Sequence, residues 1–237
     1  MARLCFDYGH GGIDPGAVYN GRCESDDALS LGTEIANRLR TSGVIVDETR
    51  TSDIILSLAQ RSEYENRNSY DYFISFHRNA FSPEVAFGAE TYIYTNPGQA
   101  ATEMAEKIQN SMVSVGFKNR GVKTADFYVL RETVAPALLI EVGFIDNSND
   151  NRIFDSKRNE LILAITNAIL SQLGIKAQSS EVTLENPKTI QPITISKNDQ
   201  KIYRVVSGSY TNRLNAEKQV QKLKASGFEA VIMVYDN

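Results

Sequence analysis

The chain of 237 residues holds only two cysteines and two histidines. So few thiols exclude a disulfide framework, and a reducing compartment is expected to keep Cys5 and Cys23 free. Cys23, beside Glu24, reads as a small packing residue rather than a metal ligand. No apolar run is long enough to span a bilayer. The first residues, Met1 to Asp7, lead straight into a core-like strand without a basic stretch, an apolar segment and a small-residue cleavage site. The expectation is synthesis in the cytoplasm without a signal peptide. An external substrate would then need a separate route of release.

Excess positive charge is also missing, the formal net charge being -4. Residues 1–175 carry 16 Lys+Arg against 23 Asp+Glu, whereas residues 201–237 carry 6 against 3. An acidic body with a mildly basic tail argues against nucleic acid as a partner. It is compatible with a tail that touches an anionic polymer. At 42% apolar and 23% charged, the composition is that of a globular protein.

Short β-rich runs alternate with amphipathic stretches through residue 175, the pattern of an α/β domain. Strands are predicted over Arg3–Gly9, Val44–Thr49, Tyr72–His77, Ala89–Thr95, Phe127–Leu130 and Ala137–Val142. Phe73, Ile74 and Phe76 make the third run nearly continuous in apolar residues, as a strand buried on both faces should be. Helices are predicted over Asp26–Ser42, Leu56–Asn68, Gln99–Val115 and Lys157–Leu173, with Gly43, Gly116 and Gly174 as stops. Residues 176–200, rich in Ser, Thr, Asn, Gln and Pro, read as a linker. A βαβ unit is predicted over 201–237, with its helix over Asn212–Ser226; 37 residues bury little core alone.

Both histidines fall where α/β sheets usually build sites. His10 follows the first strand within a glycine-rich run, and His77 ends the third. Side chains at the carboxyl ends of central strands converge on one crevice, so the pair points to a shared metal. A catalytic zinc takes three protein ligands and keeps one position open. Glu24 is the best-placed third ligand; Asp26 and Asp27 compete, but also suit the start of the following helix. Glu141 closes an otherwise apolar strand, where an unpaired charge is costly. Partial burial would raise its pKa toward the range of a general base.

His10-Gly-Gly followed by Glu24, Ser75-Phe-His77-Arg-Asn79, Gly88-Ala-Glu90-Thr-Tyr, Asn119-Arg-Gly-Val-Lys123 and Glu141-Val-Gly-Phe144 stand in a distinctive order. That order and spacing resemble the zinc-dependent N-acetylmuramoyl-L-alanine amidases over residues 3 to about 174. The resemblance implies a mixed, mostly parallel sheet flanked by helices and hydrolysis of the lactyl–L-alanine amide of peptidoglycan. It implies His10, Glu24 and His77 as ligands of one Zn2+, with Glu141 as acid/base. Asn79 is a candidate for steadying the oxyanion. Glu90 matches a family position, as a partner orienting a histidine or as a substrate contact. Arg78 departs from the family's usual small or apolar residue and is expected on the opposite face from His77.

Tyr203-Arg-Val-Val-Ser-Gly-Ser209-Tyr210, Asn215-Ala-Glu217 and Gly227-Phe228 resemble one repeat of the sporulation-related, peptidoglycan-binding domains, which usually hold two. Wall binding, or a homodimer in which two chains each donate a repeat, is what this implies. The setting is then a phage endolysin or a mother-cell autolysin, acting on the wall after lysis or through a membrane pore. Two other readings of the sequence are a metallopeptidase acting on the stem peptide and a non-catalytic wall-binding protein.

Overall fold

A computed structural model describes residues 1–176, 216–217, 219–221 and 231–232. The chain divides into two units, Met1–Ser180 and Glu181–Asn237. In the second, residues 216–217 and 219–221 are helical, inside the helix predicted over Asn212–Ser226. The predicted linker over 176–200, the flanking strands of the βαβ unit and the pairing of two chains through it lie almost wholly outside the described residues.

The first unit is built on a six-stranded sheet. Its elements in chain order are β1 (Arg3–Tyr8), the two-residue strands β2 (Val18–Tyr19) and β3 (Arg22–Cys23), α1 (Glu24–Thr41), β4 (Ile45–Glu48) and α2 (Leu58–Asn66). There follow β5 (Tyr72–Asn79), β6 (Ala89–Ile93), α3 (Gln99–Val115), β7 (Asn119–Thr124), α4 (Tyr128–Arg131), β8 (Ala137–Phe144), α5 (Ser148–Ser156) and α6 (Arg158–Gln172). The sheet order is β4-β1-β5-β8-β6-β7, and β2 pairs with β3 as a separate hairpin. All neighbours in the sheet run parallel except β6, which is antiparallel to β8. The expected mixed, mostly parallel sheet flanked by helices is what the chain forms.

Alternation along the central strands sends successive side chains to opposite faces. One face carries Leu4, Phe6, Ile74, Phe76, Leu138 and Ile140, fully buried in a large apolar cluster with Leu31, Ile35 and Leu39 of α1, Met104 and Ile108 of α3, and Leu161, Ile165 and Ile169 of α6. The opposite face carries Cys5, Phe73, Ala137 and Leu139 in a second, smaller cluster with Val129 and Leu130. Cys5 is thus a buried free thiol, and burial pushes it above the usual thiol range.

The structure corrects the sequence reading in places. Phe127–Leu130 is not a strand: the Phe127 carbonyl accepts the Leu130 and Arg131 amides, both at 3.0 Å, and closes a helical turn. Four apolar residues cannot distinguish the two periodicities, and here they place Val129 and Leu130 onto the sheet. The edge is instead taken by β7, whose Arg, Gly and Lys content concealed it; charged residues are what an exposed edge tolerates. The short helix α5 and the β2–β3 hairpin were likewise not anticipated.

Candidate active site

Three side chains that are distant in sequence meet at the carboxyl ends of β1 and β5. His10 lies just beyond β1, His77 near the end of β5, and Glu24 is the first residue of α1. Glu24 Oε2 is 3.2 Å from His10 Nε2, and Glu24 Oε1 is 2.8 Å from His77 Nδ1. One potential ligand atom from each residue lies within 4.8 Å of the others, an arrangement able to hold a metal ion. Two backbone amides steady the same carboxylate, Ala17 N at 3.0 Å and Arg78 N at 3.2 Å. Burial alone would push Glu24 upward, but its contacts with His10 and His77 prevail and hold it well below the carboxylate range. The bond to Glu24 raises His10 to about 9, against burial and with help from Asp14. Cys23, Asp26 and Asp27 stay outside the cluster; Asp27 pairs with Arg22 and Arg78 instead.

The backbone around the cluster is shaped to admit two imidazoles. A Cβ on Gly9 would lie 2.2 Å from His77 Cε1, inside the ring's own space. A Cβ on Gly16 would lie 2.6 Å from His10 Cδ2 and 2.7 Å from Glu24 Oε2. His10 itself adopts φ +60°, a left-handed conformation that side chains other than glycine seldom take. Two buried arginines hold this turn. Arg61 donates to the His10 carbonyl at 2.8 Å and the Tyr8 carbonyl at 2.6 Å, and pairs with the buried Asp7 at 2.8 Å. Arg50 links the Gly9 and Ser25 carbonyls, each at 2.9 Å, tying the His10 loop to the start of α1. Asp14 Oδ2, 2.8 Å from His10 Nδ1, sets the ring's orientation from its far side. The sequence reading missed all of these. Asp14, four residues after His10 in the glycine loop, was within reach of it; the arginines gave no signal in sequence because most of their acceptors are backbone carbonyls and the one carboxylate, Asp7, is far from Arg61 in the chain.

Glu141 stands in register with His77 on one side and Glu90 on the other. Its residue is half-buried, yet Oε2 is sealed from solvent and has no hydrogen-bond partner. Burial, then repulsion from Glu24 and Glu90, raises its pKa well above the carboxylate range. A cavity of about 670 Å³ opens over this face, lined by His10, His77 and Glu141 together with Ile55, Phe127 and Tyr128.

The remaining site residues sit around this centre. Glu90 touches neither histidine. It accepts Asn79 Nδ2 at 2.7 Å, the Tyr92 hydroxyl at 2.7 Å, Arg120 Nε at 2.6 Å, and Lys123 Nζ. Asn79 therefore spends one of its two side-chain amide hydrogens on Glu90 and lies beyond an irregularity that shifts the register of β5 against β8. Arg78 points away from His77, as expected. It is buried against Asp27 at 2.5 Å and Asn151 at 2.7 Å, with its guanidinium 4.2 Å over the Phe154 ring.

A parallel-centred α/β sheet with a His–Glu–His cluster able to hold a metal at its strand ends, beside an acid with one sealed, unpartnered oxygen, is an architecture suited to hydrolysis. The family described as N-acetylmuramoyl-L-alanine amidase matches residues 4–171, and the chain belongs to that family. Cell-wall hydrolysis at the N-acetylmuramoyl–L-alanine amide is accordingly its activity. A SPOR domain matches residues 167–233, taking in the stretch expected as linker as well as the tail. The chain is 33% identical over 242 residues to N-acetylmuramoyl-L-alanine amidase CwlM of Bacillus licheniformis, covering 100% of this chain and 87% of the relative. It is also 33% identical over 243 residues to the sporulation-specific N-acetylmuramoyl-L-alanine amidase of Bacillus subtilis, covering 100% of this chain and 86% of the relative. Among solved structures, an N-acetylmuramoyl-L-alanine amidase from Clostridium difficile superimposes with a TM-score of 0.69 at 33% identity, over 73% of this chain and 97% of that one.

Proposed function

We propose that His10, Glu24 and His77 hold one zinc ion and that Glu141 moves the proton during amide hydrolysis. The donor set fits such an ion: two imidazoles and a carboxylate converge, glycines keep their space open, and the carboxylate is held charged. When bound, zinc supplies Lewis-acid activation of water and of the scissile carbonyl. The observation that carries the reading is the unpartnered Glu141 Oε2, sealed from solvent and in register with His77. An orphaned buried acid is costly for stability, which favours a functional reason for its place.

Glu141 takes a proton from the attacking water and returns it to the departing nitrogen of L-alanine. Its raised proton affinity suits both halves of that task. Asp14 and the Arg61-braced carbonyl keep the His10 ring turned toward the cluster. Ile55, Leu56 and Phe127 give the cavity beside Glu141 an apolar lining, which lowers the polarity around the reacting bond. Peptidoglycan is the substrate, and the match of a SPOR domain supports wall binding by the C-terminal unit. Among the described residues no helix is long and apolar enough to cross a membrane.

The test is turnover of purified cell walls by the full chain, before and after chelation and again after zinc is restored, with the new amino termini identified. Release of L-alanine amines that stops with the chelator and returns with zinc is expected. Amines from another residue would make the enzyme a stem-peptide metallopeptidase, and activity indifferent to chelation would remove the metal from the mechanism.

A further inference from the structure

The row of side chains that holds His77 and Glu141 continues across the sheet. Glu90 on β6 stands in register with Glu141, and beyond it Arg120 and Lys123 of the edge strand β7 reach the same carboxylate oxygen, Glu90 Oε2. Glu90 is 2% exposed, whereas the side chains of Arg120 and Lys123 are 30% and 39% exposed. Two cations thus share one anion, which leaves a surplus positive charge at the rim of the active face.

That surplus has unused hydrogen-bonding capacity. Arg120 spends only Nε on Glu90; among the described residues its two terminal nitrogens meet no acceptor. The Lys123 ammonium carries three hydrogens and has a single acceptor there. Aromatic rings connect both cations to neighbouring elements. The Arg120 guanidinium lies 4.8 Å over Phe144, and the Lys123 ammonium 5.8 Å from the Tyr92 ring centre. The Tyr92 ring is 5.1 Å from Phe127, which lines the cavity over Glu141. The cationic pair therefore adjoins the reaction centre by two routes, through Glu90 and through Tyr92.

We infer that Arg120 and Lys123 form a carboxylate-binding subsite that takes an acidic group of the peptide side of the substrate. The inference rests on the amidase reading above and adds a direction to it. The glycan side of the scissile bond presents hydroxyls and acetamides, whereas carboxylates occur on the peptide side. A guanidinium and an ammonium with hydrogens to spare match a carboxylate. The peptide is accordingly laid toward β6 and β7, and the sugar toward the His10 loop. Glu90 keeps both cations in place between substrates, so it is a positioning residue.

The experiment compares two soluble muropeptides of the same sequence under zinc-loaded conditions, one with free side-peptide carboxylates and one with those groups amidated. Wild type should cleave the free form with a kcat/KM about tenfold higher, what one charge-assisted hydrogen bond is worth. Arg120→Gln and Lys123→Gln should each pull that ratio toward one, mainly through KM, and Lys123→Arg should restore it. Each single variant leaves the other cation on Glu90, so the edge strand keeps its ion pair. Cleavage of both substrates without a preference, or variants that keep the wild-type ratio, would overturn the subsite and leave the amidase reading intact. Cleavage of neither substrate would overturn both.

Discussion

The two faces of the central sheet are made from the same strands and differ in what covers them. One is closed by α1, α3 and α6 over a continuous apolar cluster. The other carries Asp7, Ser75, His77 and Glu141, with only a small cluster involving the short helix α4. The boundary between them is one residue wide. His77 faces the cavity while Arg78 is buried among Asp27, Asn151 and Phe154. Strand alternation therefore lets one face supply stability while the other holds the polar groups of the site, among them one carboxyl oxygen, Glu141 Oε2, without a partner.

If that division holds, activity and stability should respond to different faces. The largest effect should come from Glu141→Gln, with turnover of cell walls falling about 10²- to 10⁴-fold while zinc remains bound. Substantial residual turnover would take Glu141 out of its role. On the opposite face, Ile165→Ala empties fully buried volume and should cost about 2–5 kcal/mol of unfolding free energy. The folded fraction should keep its zinc affinity; a parallel loss of affinity would break the comparison.

Gly9→Ala tests the active face without replacing any residue proposed to hold zinc. The new methyl group occupies the space of the His77 ring, so zinc affinity should fall by roughly 10- to 100-fold, with a smaller change in melting temperature. A smaller effect concerns Glu141 again, now in the chelated protein. Its folded pKa lies above the ordinary value of 4.5, so above that pH the unfolded chain gives up a proton that the folded protein keeps. Stability contributed at this position therefore falls as pH rises. Glu141→Gln should raise the melting temperature at neutral pH by about 2–4 °C, corresponding to about 1 kcal/mol, and the gain should vanish in acid. A gain that persists below pH 4.5 would point to packing instead.

The finest measurement follows His10, raised from 6.5 to about 9 by its bond to Glu24. Its stabilising contribution in the metal-free protein is fully present below pH 6.5 and is lost as pH rises through about 9. Between those values zinc must displace the ring proton. Calorimetry in buffers of different ionisation enthalpy should show a release approaching one proton per zinc near the middle of the window, as expected when a metal replaces a proton on its ligand.

Much of this arrangement was legible in the sequence. Near-continuous apolar runs disclosed β1, β5 and β8, and glycines marked the ends of α1 and α3. The scarcity of histidine made His10 and His77 conspicuous, and Glu141 stood out as an acid after Leu138, Leu139 and Ile140. What stayed hidden depends on contacts made in three dimensions. The edge strand β7 is too polar to show a strand pattern, and α4 is too short to show a period. Arg50 acts through backbone carbonyls, which every residue possesses, and Arg61 does so too apart from its pair with the distant Asp7. Glu90 could be placed by family resemblance, but its partners on β7 depend on a pairing that periodicity did not reveal.

The position of β8 has a consequence for synthesis. Among the described residues it is the last strand to be made, yet it lies between β5 and β6. Until residues 137–144 have left the ribosome, the nascent chain has only the fragments β4-β1-β5 and β6-β7, with no strand to join them. The same segment delivers Glu141. A translation product that stops short of it lacks both the middle of the sheet and the acid. For an enzyme that dissolves the wall, this links catalytic competence to completion of the central sheet.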